Sequence, residues 1–102
     1  MNYTYMLECG DGSLYTGWTN DIAKRLAAHR SGNGAKYTRG RGPLKLVYLE
    51  VMDSQSEAMQ REAYIKKMSR IEKLALIQMS DWTEHLSEWH LERLRVTGTD
   101  GD

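Results

Sequence analysis

A chain of 102 residues with 14 basic and 14 acidic side chains has enough material for one hydrophobic core and not for two, so a single domain is expected. A lone cysteine, Cys9, excludes an internal disulfide. No apolar run approaches the ~20 residues that span a bilayer, no charged-then-apolar leader opens the chain, and no His/Cys set has zinc-ligand spacing; a cytoplasmic protein without a membrane partner is the expectation.

The zero net charge hides a segregation. Residues 1–21 hold Glu8, Asp11 and Asp21 and no Lys or Arg, whereas residues 22–49 hold Lys24, Arg25, Arg30, Lys36, Arg39, Arg41 and Lys45 and no acid. Residues 80–102 reverse the sign, with six acids against Arg93 and Arg95. Cations gathered without carboxylates to neutralise them suit phosphate binding. A solvated basic helix and loop would look the same on charge alone.

In chain order, "YTYMLEC" and "LYTGWT" flank the turn "GDGS" and read as a β-hairpin. Asn20 or Thr19 can cap a helix over residues 21–30, with Asp21 favourable in its first turn. A basic, Gly-rich loop over 31–44 closes at Pro43, and "LKLVYLEV" is a third strand. Ser54-x-x-Glu57 and Ser69-x-x-Glu72 are capping boxes for helices running to about Met68 and Met79. A final amphipathic segment, 82–95, aligns Trp82, Leu86, Trp89 (or Leu91) and Leu94; its Trp82, His85, Trp89 and His90 read as packing residues. The order ββαβααα with a small antiparallel sheet is an α+β domain. The expected organisation is a domain over 1–80, a C-terminal helix over 81–96 packed upon it, and a frayed tail over 97–102.

Two positions break the patterning. On the first helix Ile22 and Leu26 mark the core stripe, and at ~100° per residue Arg25 and His29 fall together at its border. On the second helix Ala58 and Ile65 mark the stripe, and Glu62 lies between them. A carboxylate on an apolar face is costly unless it is paired or binds a metal. The bland account is a salt bridge to a basic residue on a neighbouring element.

The stretch "YTYMLECGDGSLYTGWTNDIAKRLAAHRSG-NGAKYTRGRGPLKLVYLE", with "SEAMQREAYIKKMSRIEKLALI" beyond it, resembles the GIY-YIG nuclease superfamily, and within it the small stand-alone bacterial branch of UPF0213 (YhbQ-like) type. The resemblance covers about residues 3–79. It implies a GIY-YIG endonuclease-like fold with a three-stranded antiparallel sheet flanked by helices. It also implies hydrolysis of a phosphodiester with one divalent cation, Mg²⁺ or Mn²⁺. Residue by residue, the YIG motif stands here as Tyr15-Thr16-Gly17 and the GIY motif as Tyr3-Thr4-Tyr5, keeping only its tyrosine, at Tyr5. The family's helix arginine matches Arg25, a histidine four residues on matches His29, and the metal-binding glutamate matches Glu62.

On this reading the catalytic set is Tyr5, Tyr15, Arg25 and His29, with Glu62 as metal ligand. Lys24, Arg30, Lys36, Tyr37, Arg39 and Arg41 form the nucleic-acid contacts, Tyr37 by stacking. Arg25 suits a phosphate clamp. Tyr5 is the candidate general base and Tyr15 positions water or phosphate. A phenol of pKa near ~10 needs Arg25 and the metal to depress it, so His29, at ~6.5 unperturbed, is a rival base. The expected function is a metal-dependent endonuclease on DNA rather than RNA, structure-selective, in repair or recombination. The alternative is a non-catalytic nucleic-acid-binding or protein-interaction module that retains the fold. The resemblance includes no second DNA-binding domain, which leaves a place for a protein partner supplying specificity.

A geometric condition follows. A three-residue hairpin loop, Asp11 to Ser13, sets Cys9 opposite Tyr15 and puts Tyr5 and Tyr15 on one face, ~13 Å apart along the strands. A two-residue loop would put them on opposite faces. Gly17 offers the room for the two side chains to converge.

Overall fold

The computed structural model describes residues 1–86. Its elements are β1 (Asn2–Glu8), β2 (Leu14–Thr19), α1 (Ile22–Arg30), β3 (Lys45–Met52), α2 (Gln55–Lys66), α3 (Arg70–Met79) and a short 3₁₀ turn at Trp82–His85. The strands form one antiparallel sheet in the order β2-β1-β3, as expected. The segment expected as a helix over 82–95 lies mostly outside the described residues.

The hairpin turn has three residues, displaced by one from the expected position. Cys9 N–H donates to Ser13 C=O at 2.8 Å and Gly12 N–H to Cys9 C=O at 2.9 Å, leaving Gly10, Asp11 and Gly12 as the loop. Gly12 takes φ of 86°, the left-handed conformation such loops require. Asp11 Oδ1 accepts from Ser13 N–H and Oγ–H. The consequence is a register in which Tyr5 pairs with Gly17 and Leu7 with Tyr15. Face parity is as expected, but Tyr15 stands opposite Leu7 rather than Cys9. That brings the tyrosines about two residues, or ~7 Å, closer than the sequence alone suggested.

The two faces of the sheet carry separate cores. Tyr3, Tyr5, Leu7, Cys9, Ile22, Leu26, Leu44, Leu46, Leu49 and Leu86 form one, beneath α1. Met6, Tyr48 and Ile65, with Val47, Met68, Leu76 and Ile77 against them, form the other, beneath α2 and α3. A β-bulge joins them: Met6 pairs with Tyr48 but Leu7 with Leu46, so Val47 is the extra residue. The bulge reverses the alternation of β3, which lets Leu44 and Leu46 share a face with Leu49 and Val51. Trp82 packs against both cores.

Helix starts follow local chemistry. Asp21, not Asn20 or Thr19, is the N-cap of α1, its carboxylate accepting from Lys24 N–H at 3.1 Å. Thr19 instead accepts from Asp21 N–H through its own hydroxyl at 3.1 Å. Both expected capping boxes form: Ser54 with Glu57 opens α2 and Ser69 with Glu72 opens α3.

Candidate active site

Glycine at position 17 makes the site possible. A Cβ there would stand 2.6 Å from the Tyr5 hydroxyl oxygen and 2.8 Å from Tyr5 Cζ. The missing side chain lets the Tyr5 phenol lie across edge strand β2. Tyr15, on the same face, brings its ring centroid to 6.3 Å from that of Tyr5. Both rings meet His29 edge-on, at 5.8 Å for Tyr5 and 5.3 Å for Tyr15.

His29 is 2% exposed, deeper than the border position its helical spacing suggests. Gly34 lies against its imidazole so closely that any Cβ would collide with the ring. Its hydrogen bonds fix its tautomer. Thr38 Oγ1 gives its single proton to Ala35 C=O at 3.1 Å, so it can only accept from His29 Nδ1–H at 2.9 Å. The opposite nitrogen, Nε2, is left as an acceptor, and the Tyr5 hydroxyl donates to it at 2.7 Å. Proton order thus runs from Tyr5 to His29, with Thr38 and Ala35 holding the imidazole from behind.

Electrostatics favour the neutral form of both groups. Burial, and next the charge on Arg25, lower the His29 pKa from 6.5 to about 4. Burial raises that of Tyr5, Tyr15 and Glu62 add to the rise, and Arg25 opposes it. The expectation that Arg25 would leave Tyr5 acidified is therefore corrected: its charge acts in that direction, but desolvation outweighs it.

Arg25 reaches this cluster from α1, and with Lys24 it lines a cleft of about 350 Å³ whose other walls include Thr19, Asp21, Asn33 and Gly34. Glu62 approaches from the other layer of the fold. Its carboxylate is near enough to act on Tyr5, and its side chain is 20% exposed. Its ion pair is not with a neighbouring element, as the bland account had it, but with Lys66 one turn along the same helix at 3.3 Å.

Among the described residues no three His, Cys, Asp or Glu side chains gather as a cation cage. A lone carboxylate nevertheless fits Mg²⁺ or Mn²⁺, hard ions that keep several waters and take oxygens from substrate phosphates instead of an all-protein shell. Glu62 is the residue that could hold one.

The loop contacts divide. Arg41 is not free: Asp11, from the hairpin turn, pairs with its guanidinium, and Gly10 N–H donates to Arg41 C=O at 2.6 Å. An acid outside the basic segment therefore neutralises part of it, contrary to the reading from charge segregation. Arg41 also lies 4.4 Å over the Tyr37 ring, which stacks on Tyr15 at 5.9 Å. Tyr37 is 42% exposed but already engaged. Arg39 Nε donates to Gly32 C=O at 3.2 Å. Lys24, Arg30 and Lys36 are exposed; Arg30 borders a separate pocket of about 80 Å³ with Thr38 and Pro43.

Sequence reasoning missed Thr38, Gly34 and Asp11. Each acts through a contact across the chain, and the one available signal was that Gly34 and Thr38 lie within the loop motif "GAKYTRGRGP".

Comparison with known proteins agrees with this fold. Residues 1–75 match the GIY-YIG catalytic domain, and the chain belongs to that family. The chain is thus a nuclease-superfamily domain, for which a nucleic-acid substrate is implied. Within it, the chain falls in the UPF0213 branch. It is 62% identical over 77 residues to a UPF0213 protein of Clostridium perfringens, covering 76% of this chain and 83% of that one. It is 61% identical over 80 residues to a UPF0213 protein of Syntrophus aciditrophicus, covering 78% and 92%. The solution NMR structure of a UPF0213 protein from Bacillus halodurans is similar with a TM-score of 0.53 at 51% identity, over 78% of this chain and 86% of that one. No helix among the described residues is long and apolar enough to cross a membrane.

Proposed function

We propose that the protein is a metal-dependent endonuclease that hydrolyses phosphodiester bonds in DNA, selects substrates by structure, and serves repair or recombination. The observation that carries this reading is the cluster of Tyr5, Tyr15 and His29, with Arg25 from α1 and Glu62 from the opposite layer both acting on the Tyr5 phenol.

Arg25 holds the non-bridging oxygens of the scissile phosphate and stabilises the charge that grows there in the transition state. A divalent cation on Glu62 would polarise that phosphate and compensate charge on the leaving 3′-oxygen. Tyr15 bounds the space beside Tyr5 where the attacking water sits. Tyr5 takes one proton from this water while passing its own to His29 Nε2. The resulting hydroxide attacks phosphorus, and the 3′-oxygen leaves with the bonding electrons. No free phenolate is needed, which reconciles a raised Tyr5 pKa with a role as base. Phosphate on Arg25 also offsets the lesser cause of the low His29 pKa, the Arg25 charge, while burial, the larger cause, stays in place. Lys24, Arg30, Lys36, Tyr37, Arg39 and Arg41 supply the surrounding nucleic-acid surface, the charge of Arg41 being offset by its partner Asp11.

Incubation of the pure protein with supercoiled plasmid and with branched DNA, in Mg²⁺, Mn²⁺ or EDTA, tests the reading. Metal-dependent nicking lost in both Arg25→Ala and Glu62→Gln supports it. Salt-sensitive binding without cleavage would instead identify a non-catalytic binding module.

A further inference from the structure

Among the described residues one buried side-chain oxygen has no hydrogen-bond partner, Thr16 Oγ1. Thr16 is 3% exposed and stands between Tyr15 and Gly17. A buried hydroxyl left unpaired costs ~1–3 kcal/mol, and valine would fill the same volume without that cost. An orphan of this kind, inside the motif that builds the site, calls for a function.

Its surroundings can be triangulated. Thr4 Oγ1 donates to Ala58 C=O at 2.9 Å, and Met6 packs with Ile65, so α2 runs over the Thr4–Met6 face of β1. Arg61 reaches the β3 flank of α2, where its Nε donates to Glu50 at 2.9 Å. Glu62, ~100° further round the helix, therefore occupies the β2 flank. Thr4 pairs with Trp18 and Met6 with Thr16, so Thr16 and Trp18 are the β2 residues facing this layer. The orphan hydroxyl and the Glu62 carboxylate share one flank of the fold, beside the Gly17 gap.

Lys66 Nζ lies 3.3 Å from Glu62 Oε2. A divalent cation arriving on Glu62 repels that ammonium, and the carboxylate loses its partner. Carboxylates that ligate metals are oriented by hydrogen bonds from outside the coordination sphere. We propose that Thr16 is a positioning residue for Glu62: its hydroxyl donates to the carboxylate when Glu62 binds a divalent cation, taking the place of Lys66. This inference rests on Glu62 being the metal ligand.

The test is Mn²⁺ titration of the wild type, Thr16→Val, Thr16→Ser and Glu62→Gln without DNA, followed by paramagnetic broadening of backbone amide resonances, together with thermal melts of the cation-free proteins. Thr16→Val is expected to melt at the wild-type temperature or above it while binding Mn²⁺ at least ~10-fold more weakly, and Thr16→Ser to retain wild-type affinity. Wild-type Mn²⁺ affinity in Thr16→Val, with binding lost in Glu62→Gln, overturns this inference alone. So does a markedly lower cation-free melting temperature in Thr16→Val, which would mean the hydroxyl already has a partner. Site-specific broadening that persists in Glu62→Gln, or that the wild type never shows, overturns the metal-ligand reading and this inference with it.

Discussion

The Tyr5 hydroxyl donates to His29 Nε2 at 2.7 Å, and the direction of that bond is set two residues away. Thr38 spends its only proton on Ala35 C=O, so His29 must protonate Nδ1 and present Nε2 as a base. Two groups that are each poorly suited to deprotonate water at neutral pH are thereby joined into a relay with a defined sense.

Tyr5→Phe keeps the ring and removes the relay. Nicking of plasmid is expected to slow by about 10²–10⁴-fold. The fold should survive, since leaving the buried His29 Nε2 without its partner costs ~1–3 kcal/mol. Parallel cleavage rates and thermal melts check both parts; a wild-type rate would remove Tyr5 from the chemistry.

Acid sensitivity should trace to His29. Its folded-state pKa is depressed from 6.5 to about 4, so between those values the unfolded chain binds the extra proton. The stability due to neutral His29 is complete above pH 6.5 and is lost as pH falls toward 4, by up to about 3 kcal/mol. Chemical denaturation at pH 7, 6, 5 and 4 should show this slope in the wild type and a shallower one in His29→Gln. Equal slopes would mean that His29 does not carry the effect.

Gly17→Ala places a methyl group 2.6 Å from the Tyr5 oxygen. Overpacking of this kind typically costs ~1–3 kcal/mol, and here the ring must swing away from His29. Cleavage should fall at least as far as in Tyr5→Phe, with a lower melting temperature. A fully active, equally stable variant would show that Tyr5 can work from another rotamer.

Asp11→Ala releases Arg41 from its acidic partner. One more cation then becomes available to phosphate, so the slope of log binding constant against log salt should steepen by about one charge equivalent. Fluorescence anisotropy with a short duplex across a salt series measures it. An unchanged slope would place Arg41 outside the nucleic-acid footprint.

Strand and helix positions were legible because their signals are local. Ser54 with Glu57 and Ser69 with Glu72 are capping boxes within four consecutive residues, and both form. The hairpin was legible in kind but not in register. Gly12, whose positive φ closes the loop, is its last residue where the expected loop had it at the centre, and a one-residue displacement of the loop shifts the pairing by two. Glu62 stood out because a carboxylate on an apolar helix face violates binary patterning. The identity of its partner, Lys66, did not follow, since a helix-internal pair and a cross-element pair satisfy the same pattern.

By itself the sequence determined the α+β order of elements, the faces of α1 and α2, and the identity of the candidate catalytic side chains, since period, caps and motif residues are properties of neighbouring positions. Only the tertiary structure decided that Tyr5 crosses Gly17 to reach His29, that Thr38 orients the imidazole, and that Asp11 neutralises Arg41. Those relationships link residues 9 to 30 positions apart, and contacts across such distances exist only after strand register and loop closure have placed the chain. Desolvation, which moves Tyr5 and His29 from their ordinary pKa values, likewise has no meaning until the fold has excluded water from around them.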